Sequence, residues 1–123
     1  MFICFNRREE KNWHNWFLDE NCSHCFIIQD LKDKCLVIES LDSRIDVVLY
    51  NNSIGDILQN CLDNYTNCVI EFKQIQNDKF IFGFNSCVGV VKKMLGINNM
   101  ILTPKQLKKY LVNNGGTIIF KED

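Results

Sequence analysis

Two short apolar runs, Ser23 to Gln29 and Lys34 to Ser40, flank the polar tetrad Asp30-Leu31-Lys32-Asp33. Runs of this length, rich in Ile, Val and Phe and broken by turn-forming residues, read as the two strands of a β-hairpin. A tight turn can only reverse the chain, so this hairpin commits the fold to antiparallel pairing. Arg44 to Tyr50 supplies a third strand, and Phe2 to Phe5 reads as a short edge strand. Asn67 to Lys73 and Lys79 to Phe84 predict a second hairpin around Gln76-Asn77-Asp78, and Thr117 to Phe120 a final strand.

Helices are announced by their ends. Ser53 is a possible N-cap for a helix to Leu62, with Ile54, Ile57, Leu58 and Cys61 along one side. Cys87 to Leu95 predicts a second helix that Ser86 caps and Gly96 stops. Thr103-Pro104-Lys105-Gln106 carries a cap, a proline suited to the first helical position and a capping-box glutamine. Leu107, Tyr110 and Leu111 give that third helix its apolar side, and Asn113-Asn114-Gly115-Gly116 ends it. Trp13, Trp16 and Phe17 also fit one helical face, as a packing patch or one wall of a cleft. The sum is an α+β fold, a small mainly antiparallel sheet packed against two or three helices. One domain over residues 1–123 is the expectation for this length.

Charge excludes some classes of function. With a formal net charge of -1, no global field draws the chain to nucleic acid or anionic lipid. Lys105, Lys108 and Lys109 form only a local basic patch, which suits a solvated helix face. No glycine-rich phosphate loop is present, and Asp42, Asp46 and Asp56 lack metal-ligand spacing. No apolar run reaches transmembrane length. Met1-Phe2-Ile3-Cys4-Phe5 is too short for a signal peptide, and Asn6-Arg7-Arg8 follows at once. Cytoplasmic location is therefore the expectation, with association in a particle as the alternative. Seven cysteines, an odd number at irregular spacing, argue against a secreted disulfide framework. Several lie in apolar runs, where cysteine behaves as a small hydrophobe.

Three residues stand apart from that background. If Leu31 and Lys32 are the central turn residues, His24 faces Glu39 across the first hairpin, with the two side chains about 5 Å apart on one face. A carboxylate there can bind one ring nitrogen and fix the tautomer. The other nitrogen is then open to a cysteine carried by a distant helix. Cys87, in a first helical turn, gains thiolate character from the helix dipole. Its backbone N–H can serve a developing oxyanion. Asn85 suits a turn, with a lesser role in orienting a substrate carbonyl, and Ser86 suits a cap, with a lesser role beside the substrate.

This order of elements resembles the circularly permuted NlpC/P60-like branch of the papain superfamily. Ser23-His24-Cys25-Phe26-Ile27-Ile28 is similar to its histidine strand, and Val37-Ile38-Glu39 to the strand bearing the polar third member. Asn85-Ser86-Cys87-Val88 with Val90-Val91 is similar to the nucleophile segment, and Leu102-Thr103-Pro104-Lys105-Gln106-Leu107 to a following helix start. The likeness spans Cys22 to Leu111. It implies a cysteine hydrolase or acyl-transfer enzyme: Cys87 attacks an amide or ester carbonyl, His24 serves as base and acid, and Glu39 holds the ring. It implies a peptide or acyl-containing substrate with Trp13, Trp16, Asn85 and Ser86 as candidate contacts, and no cofactor or metal.

Other readings of the same residues stand beside this one. The Cys-Val-Gly-Val-Val context of Cys87 suits helix-to-sheet packing as well as catalysis. His14 fits a surface or cleft rim better than a base. Cys22 and Cys25 have C-x-x-C spacing, but they run into β-branched and aromatic residues rather than opening a helix, which disfavours a redox motif. Alternate strand residues face opposite ways, which disfavours zinc. A binding or structural protein on the same scaffold, part of a larger assembly, is the competing function.

Overall fold

The computed structural model describes residues 1–7, 23–41, 44–76 and 86–122. Phe2-Ile3-Cys4-Phe5 is apolar without alternation, the pattern of a strand covered on both faces. Accordingly β1 (Phe2–Asn6) is not an edge strand but an inner one, between β2 (His24–Asp30) and β5 (Thr66–Glu71), with Ile3, Cys4 and Phe5 fully buried. With β3 (Cys35–Leu41), β4 (Arg44–Tyr50) and β6 (Thr117–Lys121) it completes a six-stranded antiparallel sheet of order β4-β3-β2-β1-β5-β6. The strand β5 finds its partners in β1 and β6. Its expected hairpin partner, residues 79–84, lies outside the described residues.

Among the described residues three helices cover the sheet, giving an α+β fold. The connection from β4 to β5 carries α1 (Ile54–Leu62) over one face, where Ile54, Ile57, Leu58 and Cys61 pack on Cys4, Phe26, Ile28, Cys35 and Val69. The chain between β5 and β6 carries α2 (Cys87–Leu95) and α3 (Pro104–Asn113) over the other. There Val88, Val91, Leu95, Leu107 and Leu111 meet Ile3, Phe5, Cys25, Ile27, Ile38 and Ile70 in the larger core. All three caps form as their residue types predict. Ser53 Oγ accepts from Asp56 N–H at 3.4 Å, Ser86 Oγ from Gly89 N–H at 3.1 Å, and Thr103 with Gln106 closes a full capping box.

The helix α2 is fixed at both ends. Gly96 terminates it with φ of 80°, a left-handed conformation that favours glycine. The backbone N–H of Ile75 donates to Leu95 O at 2.8 Å, and the Gln74 side chain to Met94 O at 2.9 Å, so the segment after β5 satisfies carbonyls of the last turn. Ser86 satisfies a donor of the first turn. The helix is thereby held against β2 and β3 with its N-terminus at the end of the sheet where β2 begins.

The first hairpin turns one residue later than expected. Asp30 pairs with Cys35 and Ile27 with Ile38, which places Lys32 and Asp33, not Leu31 and Lys32, at the centre of the turn. Lys32 adopts φ of 76° and its N–H donates to Asp30 Oδ1 at 2.8 Å. The aspartate side chain thus closes the turn and holds a lysine in the left-handed region. Partner numbers shift by two, so His24 and Glu39 are diagonal rather than directly opposed. A shift of two leaves each side chain on its own face.

Candidate active site

Sequence alternation alone would keep His24 and Cys87 apart. Glu39 shares the α1 face with Val37, and Cys87 arrives on the opposite face with α2. The β2–β3 ladder resolves this. Its register runs from Asp30↔Cys35 to Ile27↔Ile38, whereas β3 stays paired with β4 through Leu41↔Arg44. Beyond Ile27↔Ile38 the two strands are linked by the His24–Glu39 side-chain bond rather than by further ladder pairs. At this open end one imidazole reaches both Glu39 and Cys87.

His24 Nε2–H donates to Glu39 Oε2 at 2.7 Å. Both side chains are part-exposed, at 27% and 30%, so the bond sits at the margin of the site rather than inside the core. The Phe26 ring, centred 6.4 Å from the imidazole, stands beside it. With Nε2 taken by the carboxylate, Nδ1 is the ring nitrogen left for sulfur, and a hydrogen bond joins His24 to Cys87. Cys87 is half-buried and is the first residue of α2.

The charges reinforce one another. Burial of the His24 ring works against its charged form, but hydrogen bonds to Cys87 and Glu39, and the negative charges of both, outweigh burial and push the ring up to about 9. At Cys87 the strongest influence is a hydrogen bond from the Cys25 thiol. Burial opposes it, while His24 and the backbone of Cys25 add to it, and the thiol falls to about 4. Between those limits the pair is thiolate and imidazolium. A helix N-terminus facing the sulfur favours the same state.

Cys87, His24 and Glu39 are therefore brought together, while Ser86 is placed as the cap of α2. Trp13, Trp16 and Asn85, and with them His14, Phe17 and Cys22, lie outside the described residues. Sequence reasoning overlooked Cys25. It is fully buried on β2, and its side chain joins the α2-facing core. The available signal was its position: the residue after a strand histidine points to the opposite face, toward any helix that packs there. Among the described residues no cluster of three or more His, Cys, Asp or Glu is arranged to hold a metal ion. No helix of the described chain is long and apolar enough to cross a membrane.

No protein-family model, curated protein or solved structure matches the chain.

Proposed function

We propose that this protein is a cysteine hydrolase or acyl-transfer enzyme on a permuted papain-like, NlpC/P60-like scaffold. The observation that carries the reading is a single imidazole bound at Nε2 by Glu39 at 2.7 Å and hydrogen-bonded to the thiol that opens a capped helix. Support for the family comes from chain order: a histidine strand, then a carboxylate strand, then a cysteine helix. A third group that orients the base of a nucleophile is the generalised triad arrangement.

The residues divide the reaction as follows. The Cys87 thiolate attacks a carbonyl carbon, and the carbonyl electrons move to oxygen. The N–H groups of Cys87 and Val88, at the first two positions of α2, have no intrahelical acceptor and can donate to that oxyanion. His24 Nδ1–H protonates the departing amine or alcohol as the C–N or C–O bond breaks, leaving a thioester on Cys87. The neutral imidazole then takes a proton from water or another acceptor as it attacks the thioester. The thiolate leaves and the ion pair is restored. Glu39 keeps the ring aimed throughout and favours its protonated form.

An activated ester tests this without knowledge of the natural substrate. On mixing with p-nitrophenyl acetate, the protein should release a burst of p-nitrophenol and carry one acetyl group on Cys87. Cys87→Ala should give neither while keeping its circular dichroism. An acetyl group found on another cysteine, or an undiminished burst from Cys87→Ala, removes Cys87 as the nucleophile.

One observation favours the binding or assembly reading. Edge strand β4 exposes Ile45, Val47, Val48, Leu49 and Tyr50, an apolar row of the kind that sheet edges usually avoid. That reading expects a sealed Cys87 and a His24 engaged elsewhere. The half-buried thiol and its imidazole partner weigh on the side of catalysis.

A further inference from the structure

Cys25 is not needed by the acyl-transfer steps, yet its thiol hydrogen-bonds the nucleophile directly, and it belongs to the core cluster between the sheet and α2 against which Cys87 packs. The two cysteines differ in access. Cys87 is half-buried at the mouth of the helix, whereas Cys25 is fully buried beneath it. A small oxidant from solvent therefore meets Cys87 first. A buried thiol in contact with it is placed to complete the reaction rather than to begin it. Oxidation-sensing cysteines have this character: a solvent-reachable thiolate poised next to a resolving thiol.

We propose that Cys25 is the resolving thiol of Cys87, so that a peroxide converts the pair into a reversible Cys25–Cys87 disulfide that switches the site off. The inference rests on reading Cys87 as a reachable thiolate nucleophile and adds a regulatory chemistry to the same site. In the first step the Cys87 sulfur attacks one oxygen of hydrogen peroxide. The O–O bond breaks, Cys87 becomes a sulfenic acid, and the departing hydroxide takes the imidazolium proton of His24 to become water. In the second step the Cys25 sulfur attacks the Cys87 sulfur. Its proton passes to the neutral imidazole and then to the hydroxide leaving from the S–O bond, releasing a second water. Two thiols are oxidised by two electrons in all, and one peroxide is reduced to two waters. Bond formation closes the sulfurs from hydrogen-bonding separation to about 2 Å. A dithiol reductant reverses it by thiol–disulfide exchange.

The position of Cys25 also argues against overoxidation. Once the disulfide forms, Cys87 has no sulfenic acid to carry to the irreversible sulfinic and sulfonic states. Cys22, the nearer cysteine in sequence, is not required. The pairing is set by α2 landing on β2 and not by the C-x-x-C spacing.

The test uses the full chain, reduced, then exposed to equimolar hydrogen peroxide and blocked with N-ethylmaleimide. Peptide mapping without reductant should recover one cross-link, Cys25 to Cys87, and dithiothreitol should restore Cys87 to electrophile labelling. In Cys25→Ser, about a tenfold molar excess of peroxide should carry Cys87 through the sulfenic to the sulfinic and sulfonic acids, one peroxide per step, and recovery by dithiothreitol should fall by about tenfold or more relative to the wild-type chain treated alike. Oxidised Cys87 beside a free Cys25 in the wild-type chain, or a cross-link from Cys87 to any other cysteine, overturns the proposal. Should Cys25→Ser fail to fold, the wild-type map decides alone. Acetylation of Cys87 by p-nitrophenyl acetate, measured on the same reduced sample, separates the two ideas. Acetylation without the cross-link overturns this inference and keeps the hydrolase. The cross-link without acetylation keeps the thiol pair and overturns the hydrolase.

Discussion

Two thiol pairs lie on opposite faces of neighbouring strands. In each, a fully buried cysteine of an inner strand meets a half-buried cysteine from a helix: Cys25 with Cys87 on one side, Cys4 with Cys61 on the other. The helix cysteine is lowered in both. Cys61 is lowered by its hydrogen bond to Cys4, against burial and the nearby charge of Glu39, with Thr66 as a further partner. Its companion Cys4 is pushed up by the same bond and by burial. Cys87 goes much further, to about 4. Both pairs have a thiol donor, so a neighbouring thiol alone does not make a nucleophile. The difference lies in the ends of the helices and in the charges. Cys87 opens α2 beside an imidazolium, where the dipole and the cation both favour thiolate. Cys61 sits in the last turn of α1 beside a carboxylate, where both oppose it.

The largest expected effect removes that difference. His24→Ala should make Cys87 resemble Cys61, with a loss of acyl transfer of about 10² to 10⁴-fold, the usual worth of a positioned acid–base group. The same variant should lose its acid-resistant labelling by iodoacetamide, followed residue by residue in the mass spectrum. Unchanged labelling would show that the Cys25 thiol and the helix start suffice without the ring.

Next comes labelling of the wild-type chain near pH 5. An ordinary thiol of pKa about 8.5 is then roughly 3 parts in 10⁴ thiolate, whereas Cys87, at about 4, is mostly ionised. A low-pKa thiolate is a weaker nucleophile, by about 10² across this span for a Brønsted slope near 0.45. The net preference for Cys87 is about thirtyfold at pH 5, vanishes near about pH 6.5, and is reversed by about pH 8. The acid limb of activity should fall where Cys87 takes up its proton, near 4, and the basic limb where the His24 ring loses its proton, near 9. A ratio near one at pH 5 would put the two pairs in the same class.

Glu39 reaches one pair through its bond to His24 and the other through its charge, and should move them in opposite functional directions. Its negative charge raises the pKa of His24 and also that of Cys61. Glu39→Gln should therefore shift the basic limb of activity below 9, lower turnover about tenfold, and make Cys61 easier to alkylate. A basic limb that stays in place would mean that Glu39 is not the orienter its 2.7 Å bond suggests.

Much of this site was legible because its determinants are local. Ser86, Gly96, Thr103, Pro104 and Gln106 mark helix ends by chemistry that acts within a few residues, and the helices begin and end there. The pairing of His24 with Glu39 survived a wrong turn because the error was two in partner number, which preserves faces. The turn itself was misread because a lysine at φ of 76° has no propensity to announce it. The signal was Asp30, whose carboxylate accepts from Lys32 N–H. β1 was misread by its place at the start of the chain, although its unbroken apolar run already described an inner strand. The contact of Cys25 with Cys87 was legible only in part. Strand alternation sends Cys25 to the face opposite its histidine neighbour, but which helix residue lands there, after more than sixty residues of intervening chain, no local pattern encodes.

The smallest effect compares the two helix caps. Ser86 holds Gly89 N–H at 3.1 Å on a helix with six buried residues, and Ser53 holds Asp56 N–H at 3.4 Å on a helix with none. Ser86→Ala should cost about 1 kcal/mol, and Ser53→Ala less, because its longer bond competes with water. For a chain of this size the first corresponds to about 4 °C in Tm by calorimetry. The comparison also separates two roles for Ser86. If its hydroxyl serves only as the cap, turnover measured well below Tm changes little, since the ring, the thiol and the helix remain in place. If kcat falls at least tenfold while Tm drops only by the cap's share, the hydroxyl acts on the substrate, and Ser86 belongs beside Cys87 in the chemistry rather than behind it in the fold.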